Sequence, residues 1–438
     1  MTIKKLIDYI MKQNKRLVSP KGGGSIERFQ KRVNTPIMKP AEYIAHWLAF
    51  QAEEYGHEFL CSTMLDVQIC KCLGLQTYLM PDGSEHVVEY QINCANDLNK
   101  IKKTSPLAHP LVEKYITCIT EFKKICTKPV GGACFGPFTC AGTILGTQHL
   151  CMASIDNPEL IKKTMEITTD FILQMALDCE KAGADFFWIA EPTGVLFAPQ
   201  QFNEFCGRYI KKIFDSISVP GFLHIPGNTN HLIDAMIKTN AQCLSLDSFV
   251  DMRDMAHRVP LDLIILGNIN SVSMLYDPID KIAQDTAKLN REIKNFPNFV
   301  ISSGGGLSKD TPEENLKVLF DTTRKIPVWN REQYLQIHQL WRIMAAKSFA
   351  EIDLTLAKNN YSPDIVAASL EEACMYLKRQ YKYKNLSLPR YSRQSHEILK
   401  LLCTDYISRF HSFNIESDTV TLEQLKANML HIAQGFVN

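Results

Sequence analysis

The chain has 438 residues, enough for two or three average domains or for one (β/α)8 barrel with additions, so core size sets no limit. Its 48 Lys and Arg nearly cancel its 47 Asp and Glu, which removes the electrostatic argument for nucleic acid or an anionic membrane and leaves a small, locally bound molecule as the expected ligand. Fourteen cysteines without paired zinc spacing, a start with no apolar leader pattern, and no apolar run of about 18–20 residues predict a reduced-thiol, cytoplasmic protein that does not enter a membrane.

Residues 1–40 combine an amphipathic pattern (Ile3, Leu6, Ile7, Ile10, Met11) with a Pro-Lys-Gly-Gly-Gly break at 20–24, which predicts a short helix and a linker without function. Residues 41–74 read as mainly helical with a bend near Gly56, and Asp66 could present an acid near the middle of Leu65-Asp66-Val67. After a polar region at 81–110 the chain alternates short apolar runs with longer amphipathic ones. Strands are predicted at 129–133, 185–190, 221–224, 242–246, 263–266 and 299–303, separated by helical patterns such as 156–183 and 199–216. Near-continuous apolar strands that alternate with helices indicate a parallel sheet covered on both faces, and six such units favour closure into a TIM barrel over a doubly wound sheet. From about 329 the strands stop, and 333–356, 365–381 and 422–436 read as helices. The expected organisation is therefore 1–40 helix and linker, 41–328 barrel, and 329–438 helical C-terminal extension, with packing, oligomerisation or partner binding open for the last.

A barrel brings the carboxyl ends of its strands to one face, so Glu191, His224, Asp247, Asn268 and the loop 302–306 are expected to converge. His224 stands out because Gly221-Phe222-Leu223-His224 delivers a titratable side chain to Ile225-Pro226-Gly227-Asn228, a strand end that breaks into turn residues. Each residue also has an ordinary reading: Glu191 or Asp247 may cap a turn or helix, Asn268 may bond its own loop, and Asp66 may be a surface carboxylate. The triple glycine 304–306 lacks the Lys-Ser/Thr ending of a P-loop and the spacing of a dinucleotide fingerprint, while Thr311-Pro312-Glu313-Glu314 offers a capping box farther on, so a phosphate cradle is the weaker reading.

Gly136-Pro137-Phe138-Thr139, Ala182-Gly183-Ala184-Asp185, Glu191-Pro192 with Pro199-Gln200-Gln201-Phe202, His224-Ile225-Pro226-Gly227-Asn228, Leu246-Asp247, Gly267-Asn268-Ile269 and Thr311-Pro312-Glu313-Glu314-Asn315 follow one another over residues 36–325. In that order and spacing they resemble the uroporphyrinogen decarboxylase superfamily, which includes cobalamin-linked methyltransferases that methylate coenzyme M. The resemblance implies a (β/α)8 barrel of the uroporphyrinogen decarboxylase type. Its methyltransferase branch uses a His-x-Cys-Gly motif and a second cysteine in the late glycine loop to hold zinc, which turns a substrate thiol into a thiolate. Here those sulfur positions fall on Pro226 and about Gly305, so zinc is not expected unless His224 keeps a site rebuilt from Cys134, Cys140 or Cys243. Its decarboxylase branch uses an arginine motif near the N-terminus, an acid, a tyrosine and a late histidine; Pro36-Ile37-Met38-Lys39-Pro40 lacks the arginines, the tyrosine position falls on Thr143, the histidine position again on Gly305, and Asp66 is the candidate acid.

The His224 loop is more similar to the methyltransferase branch, and the function expected is a divergent corrinoid-linked methyltransferase acting on a small molecule. His224 is then a base or hydrogen-bond partner, Glu191 and Asp247 are acid or orienting groups, and Asn228, Asn268, Ser303 and Gly305 contact substrate. The resemblance brings a corrinoid (methylcobalamin) as co-substrate and a corrinoid protein as partner, while a second copy of the chain stays open as a partner through the C-terminal helices. The alternatives are decarboxylation of a porphyrinogen-like tetrapyrrole led by Asp66, and a non-catalytic barrel that binds a corrinoid, a tetrapyrrole or a partner protein.

Overall fold

The computed structural model describes residues 2–346 apart from 13–14, 34–37, 82–83, 89–90, 103–104, 261 and 327, and scattered positions between 358 and 373. The chain divides into two compact units, Met1–Val328 and Trp329–Asn438. In the first, seven parallel strands lie side by side in the order β1 (Leu60–Met64), β4 (Val130–Phe135), β5 (Phe186–Ala190), β6 (Gly221–His224), β7 (Cys243–Ser245), β8 (Ile264–Ile269) and β9 (Phe299–Ser303), while β2 (Thr77–Leu79) and β3 (Glu85–Val87) form a separate antiparallel hairpin. Each strand of the large sheet pairs with the next one in the chain and helices fill the connections, the arrangement of a (β/α)8 barrel of the uroporphyrinogen decarboxylase type.

Two stretches differ from the sequence reading. Residues 41–74 are mainly helical with a break at Gly56, as expected, but a strand interrupts them: the helix Pro40–Phe50 and a π-turn over Gln51–Tyr55 stop at Gly56, whose φ of 81° lies in the left-handed region that favours glycine, and β1 follows before a short helix, Asp66–Cys72. Leu60-Cys61-Ser62-Thr63-Met64 is too short for its alternation to be told from a helical face.

The other difference is the stretch 15–24, read as a linker. Ser19 N–H donates to the Ile301 carbonyl at 2.8 Å, and Ile301 N–H donates to Leu17 O at 2.9 Å, so the segment lies along β9 in parallel. On its other side Ser19 Oγ donates to Phe59 O at 3.0 Å and accepts from Phe59 N at 2.9 Å, immediately ahead of β1. Residues 17–21 therefore tie together the two edges of the sheet, in the place of an eighth strand.

Side-chain alternation stacks the interior in layers. Phe59, Phe186 and Phe222 form the lower one, with Phe186 and Phe222 stacked at 4.4 Å and Phe59 at 5.7 Å from Phe222. Gly131 makes room for it: a Cβ there would lie 2.5 Å from both the Phe186 ring and its carbonyl oxygen. Two residues farther along the same strands the layer turns polar, with Cys61, Trp188, His224 and Ser245. Thr63, one more step up β1, is exposed although both of its strand neighbours are buried, which marks the opening of the interior to solvent.

In the second unit the helix Arg331–Ala346 buries Tyr334, Ile337, Leu340 and Trp341, and Asn330 and Gln333 cap its start reciprocally at 2.9 and 3.0 Å. Residues 347–356 of the expected helix 333–356, residues 367, 370 and 374–381 of the next, and all of 422–436 lie outside the described residues. No described helix is long and apolar enough to cross a membrane.

Candidate active site

His224 closes β6 and is buried. Its Nδ1 lies 2.9 Å from the Ser245 carbonyl on β7; a carbonyl only accepts, so Nδ1 carries the proton and Nε2 presents a lone pair. Loss of water, and next the nearby Lys21 charge, push the imidazole pKa down to about 3. At neutral pH His224 is thus an uncharged acceptor and a poor base.

Lys21, from the segment taken for a linker, reaches the same layer. Its Nζ donates to Ser245 Oγ at 2.8 Å and to Gly304 O at 2.9 Å. Ser245 so serves both groups, its hydroxyl holding the lysine and its carbonyl the histidine. Burial lowers the Lys21 pKa to about 7, against the opposing pull of Asp247, Cys243 and Cys61. Neither Lys21 nor Ser245 was singled out from the sequence. The available signal was Leu17-Val18-Ser19-Pro20-Lys21-Gly22, an apolar pair that runs through polar residues into glycine as the other strand ends do.

Of the remaining sequence candidates, Asp247 lies nearest. Its Oδ2 accepts from Gly227 N at 2.7 Å, and its Oδ1 from Ser248 N at 2.5 Å and Ser248 Oγ at 3.1 Å, so it pins the loop after β6 to the loop after β7. Asn268 braces that loop through Nδ2, which donates to Asp247 O at 2.9 Å and Val250 O at 2.7 Å. Ser303 is buried and accepts from Lys21 N–H at 2.9 Å. Gly305 is half-buried beside Ser271, whose Oγ would lie 3.1 Å from an added Cβ. Asn228 is exposed, and its Oδ1 accepts from Asn230 N at 3.3 Å and Asn230 Nδ2 at 2.7 Å.

Glu191 has a different setting. It is fully buried, and its oxygens accept from Phe138 N at 3.0 Å, Thr139 N at 2.7 Å and the Thr139 hydroxyl, at the start of the helix Pro137–Leu145. Burial raises its pKa to about 7 even against these three donors. That is the setting of a carboxylate that organises a helix N-terminus. Asp66 sits in the first turn of its helix and accepts from Thr143 Oγ1 at 2.5 Å, so these two positions lie side by side.

The side chains do not fit a zinc ion. Pro226 and Gly305 offer no sulfur, and Cys134, Cys140 and Cys243 are buried thiols whose pKa burial drives far up, which keeps them protonated and poor ligands. Among the described residues no three His, Cys, Asp or Glu side chains are grouped to hold a metal. A groove of about 740 Å³ lies between residues 95–106 and the helix Pro158–Lys181, away from the strand ends, and Lys102, Lys163, Glu166 and Asp170 are among the residues that line it.

The family profile of uroporphyrinogen decarboxylase (URO-D) matches residues 46–326. The methylcobamide:CoM methyltransferase MtbA of Methanosarcina acetivorans is 26% identical over 54% of this chain and 70% of its own length. MtaA of Methanosarcina barkeri, also a methylcobamide:CoM methyltransferase, is 29% identical over 44% of this chain and 56% of its own. A uroporphyrinogen decarboxylase of Prochlorococcus marinus is 27% identical over 39% of this chain, and the match spans 49% of that relative. In three dimensions a methyltransferase from Methanosarcina mazei superposes with a TM-score of 0.64 at 21% identity, covering 74% of this chain and 99% of that one, a likeness of fold.

Proposed function

The chain belongs to the uroporphyrinogen decarboxylase family, and on that premise we propose that it is a corrinoid-linked methyltransferase that moves a methyl group onto a small acceptor without a His/Cys/Cys zinc site. The observation that carries the reading is His224: a neutral imidazole with its tautomer fixed by the Ser245 carbonyl and its Nε2 lone pair available at a strand end. Nε2 accepts a hydrogen bond from the X–H group of the acceptor and orients it above the aromatic floor. Asp247 and Asn268 hold the rim in register, while Glu191 positions the helix that follows β4. Methylcobalamin, free or carried by a corrinoid protein, is the methyl donor in this reading.

The test is demethylation of methylcobalamin by chelator-treated protein with small acceptors. Turnover is expected, and His224→Ala should lower kcat/KM about 100-fold, the size of a lost positioning contact. Absence of turnover with every thiol, amine and hydroxyl acceptor tried, or full activity in the variant, would overturn the reading.

The hydrogen bond between Thr143 and Asp66 supports a second reading, decarboxylation of a porphyrinogen-like tetrapyrrole, with Asp66 steadying a protonated pyrrole. Carbon dioxide released from a porphyrinogen by the wild type and lost in Asp66→Asn would establish it; no release would remove it.

A further inference from the structure

Lys21 occupies the polar layer where a methyltransferase of this family would need a positive centre, and its geometry is that of a group awaiting a third partner. Two of its hydrogen-bonding directions are taken by Ser245 Oγ and Gly304 O, and the nitrogen's remaining tetrahedral position carries no hydrogen bond. No carboxylate oxygen is within hydrogen-bond distance of it; the Asp247 carboxylate, held by Gly227 and Ser248, acts on it only through its charge. The other titratable groups that act on it are Cys243 and Cys61, thiols held protonated by burial, and His224, which is neutral. The nitrogen is therefore anchored by neutral oxygens and left without a counter-ion in contact.

We propose that Lys21 does the work of the missing metal: its amine takes the S–H proton of a thiol acceptor, and the resulting ammonium pairs with the thiolate. This inference rests on the methyl-transfer reading and narrows its acceptor to a thiol. The step balances within the site: the S–H bond breaks, its electron pair stays on sulfur, and an N–H bond forms on Nζ. The lowered lysine pKa of about 7 suits this chemistry. An ordinary thiol near 8.5 is then about thirty-fold short of even proton sharing, a gap that contact between the two charges closes, whereas an alcohol is many powers of ten out of reach.

The experiment uses the full chain in chelator with 2-mercaptoethanol as probe and ethylene glycol as the non-thiol control, and reads thiolate by its ultraviolet absorbance. At pH 7 the wild type is expected to raise the bound thiolate fraction about tenfold or more over free thiol. Lys21→Met should abolish the signal. Lys21→Arg, a cation that cannot take the proton, should show thiolate only as the pH approaches the thiol's own pKa. Equal thiolate in wild type and Lys21→Met, a signal that appears only after zinc is added, or no signal at all would overturn the proposal. Should Lys21→Met fail to fold, the Lys21 resonance of reductively methylated wild type decides the matter, since its pKa must rise by about one unit or more when the thiol binds and stay put with ethylene glycol. Thiolate without methyl transfer from methylcobalamin would fell the methyltransferase reading and leave Lys21 its role; methyl transfer with no thiolate signal would do the reverse.

Discussion

Arg16 and Lys21 lie five positions apart on one short segment, yet they reach opposite ends of the barrel and do opposite things. Arg16 is buried at the base, where its guanidinium donates to the carbonyls of Phe296, Phe299 and Ile293 at 2.5, 3.1 and 2.8 Å. Its two terminal nitrogens are matched by several backbone acceptors, which closes the strand-start end, while Nε is left buried without one. Lys21 meets two acceptors at the strand ends and keeps a third direction. A cation held among backbone carbonyls at the closed end stabilises the fold; a lysine held by two oxygens at the strand ends, where the interior opens, is available for chemistry.

Several measurements would sharpen or break this contrast. The largest stability effect is expected at the base. Arg16→Met should cost about 4 kcal/mol in denaturant unfolding, because it strands several buried carbonyls, with the kcat of any surviving folded protein unchanged. Lys21→Met should behave inversely, with activity lost and stability changed by less than about 1 kcal/mol; a large loss of stability there would erase the distinction between the two ends. Between them, Gly131→Ala should destabilise by about 3 kcal/mol by driving a methyl group into Phe186.

The pH dependence of stability separates the carboxylate from the histidines. Glu191 has a folded pKa of about 7, above its ordinary 4.5, so its contribution is complete below about 4.5 and is lost as the pH rises through 7; Glu191→Gln should flatten that alkaline decline. His224 and His57 are both lowered to about 3 by burial, so theirs is present above 6.5 and lost as the pH falls towards 3. Thermal unfolding from pH 3 to 9 would show both limbs. Among the variants expected to lose stability, Thr143→Ala should lose least, about 1 kcal/mol for one part-buried hydrogen bond to Asp66.

Much of the barrel was legible in the residues because its strands are short apolar runs closed by turn residues. Phe186-Phe187-Trp188-Ile189-Ala190 and Phe299-Val300-Ile301-Ser302-Ser303 announce themselves in this way. β1 did not, since Cys61, Ser62 and Thr63 dilute its apolar pattern where the interior opens to solvent. The segment 17–21 was the hardest to see. Its pairing partners lie about 280 residues away on β9, and no local pattern reports a contact of that separation.

The sequence by itself determined the alternation that makes a parallel barrel, the address of His224 at a strand end, and the absence of sulfur at Pro226 and Gly305. These follow from periodicity and residue type, which are local. Only the tertiary structure decided that Glu191 is consumed by a helix N-terminus, that burial keeps His224 neutral, and that Lys21 completes the polar layer. Roles of that kind depend on which donors and acceptors the fold brings within about 3 Å and on how much water it removes, and neither quantity is written at any one position of the chain.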